Sequence, residues 1–324
     1  MLSVHDRPQK DAGPREPDSP RQRDEFAALR RLRDIVGWLD QDPAITLDTR
    51  DGVVGVFTAT SNAVLRPVEL DGAGIRAERK YPAIQVSVWS EPWLAWVNSP
   101  RRRATWINRG MGLGAMQPLL DGEGRAPLLN ACFELDDGLR WEYEGAALLR
   151  LFARSGADWM LRRTGRAVFA RNTAGLRSWH DAIVRLPAHW FGTWTLLKRM
   201  PARVIVRPAE YDLADEAEVH IELDRPHPRL GSGLRYTLAL ARRYSARERL
   251  AAWCDWLNER ETQLSIGTSH FGAWHIAANG RLTYTAFIPS LIGEPLPNLP
   301  RDLLCGSVMR ARAAIMALSG RLPL

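Results

Sequence analysis

The sequence predicts an α+β fold: two lobes of antiparallel sheet packed with amphipathic helices, in the pattern of a diverged duplication. Three observations carry this. Short alternating runs are divided by Asp-Gly and Asn-Gly pairs, which tight hairpin turns select. Longer stretches carry apolar residues at three- and four-residue steps behind helix-capping signals. A helix followed by a hairpin also recurs, as "LRDIVGWLDQ" before Asp51-Gly52 and "LAAWCDWLNE" before Asn279-Gly280. The spacing is irregular, so a solenoid is not expected.

Residues 1–20 are polar, proline-bearing and unpatterned, as in a disordered tail. Ser19-Pro20-Arg21-Gln22 then opens a helix with a Ser N-cap, Pro at the first helical position and Gln at the third. Phe26, Leu29, Leu32, Val36 and Leu39 form its apolar stripe. "AITLDT" and "VVGVFTAT" follow as strands turning at Asp51-Gly52, and "AVLRPVEL", "GIRAERK" and "AIQVSVW" continue the sheet. This first lobe is expected over 21–145. A connecting segment of helix and hairpin, turning at Thr164-Gly165, is expected over 146–200, and the second lobe over 201–324.

In the second lobe Ser245-Ala246-Arg247-Glu248 fits a capping box, with Leu250, Trp253, Cys254 and Leu257 on one helical face. Asn279-Gly280 predicts a two-residue type I′ turn, which pairs His275 with Tyr284, Trp274 with Thr285, and Gly272 with Phe287. An aromatic ring over a cross-strand glycine stabilises such a sheet. After "GEPLPNLP" comes a last helix with Leu304, Val308, Ala311, Ile315 and Leu318 in line, ending at Gly320.

Composition bounds the function. The chain has 324 residues, 45% hydrophobic and 25% charged, with no apolar run long enough to span a bilayer. Its N-terminus has charge and proline where a secretory signal needs an apolar core, and Cys132, Cys254 and Cys305 have neither disulfide-framework nor zinc spacing. A cytoplasmic protein is expected. The net charge of +7 rests on arginine, the lysines being Lys10, Lys80 and Lys198, and abundant Arg and Ala is the composition of a GC-rich bacterial genome.

No residue set earns a catalytic, cofactor-binding or metal-ligating assignment, and no cofactor is expected. His270 and His275 stand five apart, so in a strand they point to opposite faces and share no metal ion. "RGMGLGAM" lacks the strand, helix and Lys-Ser/Thr of a phosphate loop. Ser178-His180-Asp181 and Ser269-His270 are neighbours in sequence, whereas triads assemble in space.

The 13 tryptophans are the unusual component. Trp89, Trp93 and Trp96 follow helical spacing, and with Trp274 and Phe287 they are the candidate protein-binding residues. Arg101, Arg102 and Arg103 beside Trp106 are the candidate nucleic-acid contacts, since a basic triplet holds phosphates and an indole stacks bases.

The phrases "WLNERE", "FGAWHIAANGRLTYTAFIP" and "LPRDLLCGSVMRARAA" together resemble the YbjN-like proteins and the type III secretion chaperone-like fold that they share. The likeness covers the C-terminal third and consists of apolar patterns. It implies a non-enzymatic protein that docks other proteins on a sheet or in a groove; the expected partner is another protein, with self-association as a further option. A protein-binding, chaperone-like or scaffold role is therefore the leading expectation. A nucleic-acid-associated role is the alternative, and an enzyme with a site assembled from distant residues is the third.

Overall fold

The computed structural model describes residues 45–50, 52–58, 62–72, 78–89, 114–117, 128–135, 173–184, 194–200, 202–208, 216–227, 231–243, 247–290 and 299–319, with Asn108 and scattered positions between 30 and 43. The α+β expectation holds: helices pack with two sheets that are antiparallel apart from one short parallel pairing.

Sheet A takes its strands from β1 (Thr46–Arg50), β2 (Val53–Phe57), β3 (Asn62–Gly72), β4 (Lys80–Trp89), β5 (Ala115–Gln117) and β6 (Leu128–Glu134). Their spatial order is β1-β2-β3-β4-β6-β5. Arg50 pairs with Val53, and Gly52 takes φ 77°, as the expected tight turn between β1 and β2 requires. Alternation then sorts the side chains: Val54, Val56, Ala63, Leu65, Ile84, Val86, Val88, Ala131 and Phe133 are all buried in one core.

Helix α1 (Thr173–Val184) separates the two sheets in sequence. Sheet B contains β7 (Trp194–Met200), β8 (Arg203–Pro208), β9 (Ala217–His227) and β10 (Gly231–Arg243). Helix α2 (Arg247–Arg260) and the short strand β11 (Leu264–Ser265) follow. The chain then adds β12 (Ala273–Ile276) and β13 (Arg281–Pro289), and ends in helix α3 (Leu299–Leu318). The order in space is β12-β13-β10-β9-β8-β7.

The expected lobe boundaries need adjusting. β7 is the edge strand of sheet B, so the second lobe begins inside the segment assigned to the connection. β11 leaves the second lobe to pair in parallel with Asp71 and Gly72 of β3. Val204, Val219, Ile221, Leu234, Tyr236, Leu238, Tyr284 and Ile288 of sheet B also join the same core as the inner residues of sheet A.

The hairpin register differs from the expected one by a residue. Ala277 N–H donates to Arg281 C=O, and Gly280 alone takes φ 77°, which makes a three-residue loop with a bulge at Gly280. Trp274 therefore faces Tyr284, and His275 faces Thr283. Because side chains alternate with period two, this slip exchanges the faces of every pair.

Candidate functional site

Two helical stripes lead to a buried acid–base cluster. On α2, Leu250, Cys254 and Leu257 are buried at three- and four-residue steps, and the next position on that line, just past the helix, is Glu261. On α3 the line Leu303, Ser307, Arg310, Ala314 and Ala317 is buried, which carries a guanidinium into the core. Arg310 Nε donates to Glu261 Oε2 at 2.7 Å, and an Arg310 terminal N–H donates to the Ser269 carbonyl at 3.0 Å. His270 Nδ1 meets Glu261 Oε2 at 2.9 Å, and Trp274 Nε1–H donates to Oε1 at 2.5 Å. The Arg310 guanidinium also lies 4.0 Å from the centroid of the Tyr284 ring, close enough for a cation–π contact.

The segment between α2 and β12 reaches across to sheet A. β5 stops beside Asn130, and His270 takes the next place along β6, exchanging both backbone hydrogen bonds with Cys132 at 2.7 Å. Ser265 Oγ donates to Glu134 Oε2 at 2.9 Å, and Glu134 N–H donates to Ser269 Oγ at 3.0 Å. Phe271 stacks on Phe133 with rings nearly parallel and centroids 6.2 Å apart. Asn258 supplies the remaining tie: its amide donates to Trp274 C=O at 3.0 Å and accepts from Trp274 N–H at 2.8 Å. The side chain thus pairs with the edge strand as a neighbouring backbone would.

Electrostatics follow from burial. Burial alone pushes the Glu261 carboxyl up, but Arg310, helped by His270 and Trp274, outweighs it and holds the group down to about 2. Burial likewise works against the Arg310 charge, and the Glu261 carboxylate more than restores it. Burial pushes Tyr236 up to about 12 and raises Tyr284 as well. Tyr236 shares a hydrogen bond with Ser307 Oγ, and Tyr284 Oη accepts from Gly272 N–H at 2.7 Å. Cys132 and Cys254 are raised by burial, with Glu134 and Asp255 adding to it, so neither thiol is primed as a nucleophile.

Chemically this is a sealed Glu–His–Arg constellation. Its members are spent on one another, on the indole of Trp274 and on a backbone carbonyl. His270 Nε2 is buried and meets no hydrogen-bond partner among the described residues. No three His, Cys, Asp or Glu among the described residues lie close enough to hold a metal ion.

The expected histidines are kept apart, since His270 bonds Glu261 while His275 Nε2 bonds Thr285 Oγ1 at 2.9 Å. Two candidate docking residues require correction. Trp274 is 0% and Phe287 2% exposed, so both belong to the core and neither presents a surface to a partner. Gly272 lies against Tyr284, and the glycine beneath Phe287 is Gly233. Trp89 is the last residue of strand β4, opposite Asn62, and so does not lie on a helix as its spacing suggested. Trp93, Trp96, Arg101, Arg102, Arg103 and Trp106 lie outside the described residues. Gly114 of the glycine-rich run leads into β5 and donates its N–H to Phe271 C=O, while on α1 His180 is half-buried and Asp181 exposed.

A second charged group lies on the outer face of sheet B. Glu218, His220 and Glu222 alternate along one side of β9, with Arg203 and Arg207 on β8 beside them. Arg203 Nε is 3.7 Å from Glu222 Oε1, Arg207 Nη2 3.8 Å from Glu218 Oε2, and Arg225 Nε 3.6 Å from Glu222 Oε2. No family model, curated protein or solved structure matches this chain. No helix among the described residues is long and apolar enough to cross a membrane.

Proposed function

We propose that this protein is a non-catalytic binding protein of the bacterial cytosol that docks another polypeptide, in the manner of a secretion chaperone or scaffold. The observation that carries the reading is the confinement of Glu261, His270 and Arg310. General acid–base work requires a group that reaches substrate, and these three side chains are directed into one another in the core. Asn258, Glu261 and Trp274, which carry the cluster, fall in the phrases that resemble the YbjN-like proteins, where the corresponding pattern serves a fold that binds proteins. The β8–β9 face supports the same reading. Its arginines and carboxylates alternate and pair, a pattern suited to a polypeptide of mixed charge more than to the continuous negative charge of a nucleic acid.

The test is site-specific photocrosslinking in cells, with the probe at Arg207 on this face and, as a control, at the exposed Arg50 of β1. A discrete polypeptide captured from Arg207 and not from Arg50 supports docking on sheet B. Titration with labelled single- and double-stranded nucleic acid at several salt concentrations tests the alternative. Tight binding that weakens steeply with salt and vanishes when Arg101, Arg102 and Arg103 become alanine would replace the docking reading.

A further inference from the structure

We propose that His220 is a proton-operated switch on the outer face of sheet B. Arg203 Nη2 lies 2.6 Å from His220 Nδ1, and His220 Nε2 meets Glu218 Oε1. A guanidinium only donates and stays charged, so Nδ1 must present its lone pair to Arg203. Nε2 then carries the hydrogen and donates it to Glu218. The two neighbours together select the neutral Nε2–H tautomer of His220, because each accepts only one polarity from the ring.

A second proton has no acceptor in this arrangement. On Nδ1 it would point at the Arg203 N–H across 2.6 Å, opposing two donors and two positive charges. Among the described residues, the neighbouring register positions supply no acceptor that relieves this. Thr237 stands opposite on β10, with Arg235 one pair further along beside Glu222. Ile205 stands opposite on β8, and Arg207 approaches Glu218 from the far side. Lys198 of β7 occupies the register position beyond Ile205.

Protonation therefore expels Arg203, and a destination lies within reach. Arg203 Nε is buried without an acceptor at hydrogen-bonding distance among the described residues, and Glu222 Oε1 is 3.7 Å away. Arg203 moves onto Glu222, the imidazolium keeps Glu218, and the face gains one positive charge. The device needs no ligand and belongs to the free protein, so it stands or falls separately from the docking reading.

The experiment is nitrogen NMR of the full chain with its seven histidines labelled, His220 being assigned by its loss in His220→Gln. At alkaline pH the expected wild-type signature is a pyrrole-type Nε2 and a pyridine-type Nδ1. Arg203→Gln is expected to distribute the ring over both tautomers. On acidification the Arg203 side-chain nitrogens should shift in step with His220 protonation in the wild type and stay still in His220→Gln. The wild-type spectrum decides the tautomer whatever the stability of the variants. An Nδ1–H tautomer, or Arg203 resonances indifferent to the state of His220, would overturn the proposal.

Discussion

Arg310 and Glu261, 49 residues apart in sequence, meet at 2.7 Å with side chains only 3% and 6% exposed. A buried ion pair is not by itself stabilising, because desolvation of the two charges offsets their attraction. What this pair supplies is a unique arrangement. The Glu261 carboxylate takes donors from α3, from the start of the hairpin and from the indole of β12, and those donors converge only when both sheets are in place.

The hairpin register gives the first prediction. Gly280→Val should cost about 1–2 kcal/mol, since a branched residue resists its left-handed φ of 77°. Gly272→Ala should cost more, because the new Cβ would lie 2.4 Å from the Thr285 carbonyl oxygen, a backbone atom that no rotamer change relieves. Urea denaturation of the two variants checks this. A neutral Gly272→Ala would show that β12 and β13 are paired otherwise.

Trp274 separates packing from hydrogen bonding. Trp274→Ala should lose about 3–5 kcal/mol by opening a cavity in the core. Trp274→Phe keeps most of the packing but removes the N–H that satisfies Glu261, and should lose roughly 1.5–3 kcal/mol, as expected for a hydrogen bond to a charged group. Thermal melts of both variants measure the difference.

Acid should weaken the protein through Glu261. Its folded value of about 2 lies below the ordinary 4.5, so the folded state favours the carboxylate. The resulting stability is complete above the unfolded value and drains as pH falls from about 4.5 towards about 2, on the order of 3 kcal/mol in all. Stability measured against pH in wild type and Glu261→Gln isolates it. The variant should lack this part of the acid dependence.

Much of the fold was legible because local chemistry and global structure agree. The capping box at Ser245, the stripe Leu250–Cys254–Leu257 and the turn at Asp51-Gly52 each point to the element observed. The register at Asn279-Gly280 was not legible. That pair serves a two-residue type I′ turn and a three-residue bulged loop alike, and the observed register is the one that sets Trp274 against Tyr284 in the core.

The cluster left a signal that apolar patterning passes over. Glu261 continues the buried line of α2, and Arg310 sits between Ser307 and Ala314 on the most buried line of α3, one position from the stripe read in the sequence. Two opposite charges on the buried lines of two helices are the mark of a paired interior site. Trp274 and Phe287 misled for the converse reason: an aromatic in a strand carries no record of which face is covered.

The central claim is that Glu261 and Arg310 form a structural staple between the end of α2 and α3, and a double-mutant cycle tests it most directly. Arg310→Met and Glu261→Gln each leave the other group buried and poorly matched, so each should cost about 3–5 kcal/mol in urea denaturation. The double variant should cost far less than the sum of the two, because the uncompensated charge is gone. Single changes that leave stability within about 0.5 kcal/mol of wild type, the range of ordinary surface substitutions, would contradict the account.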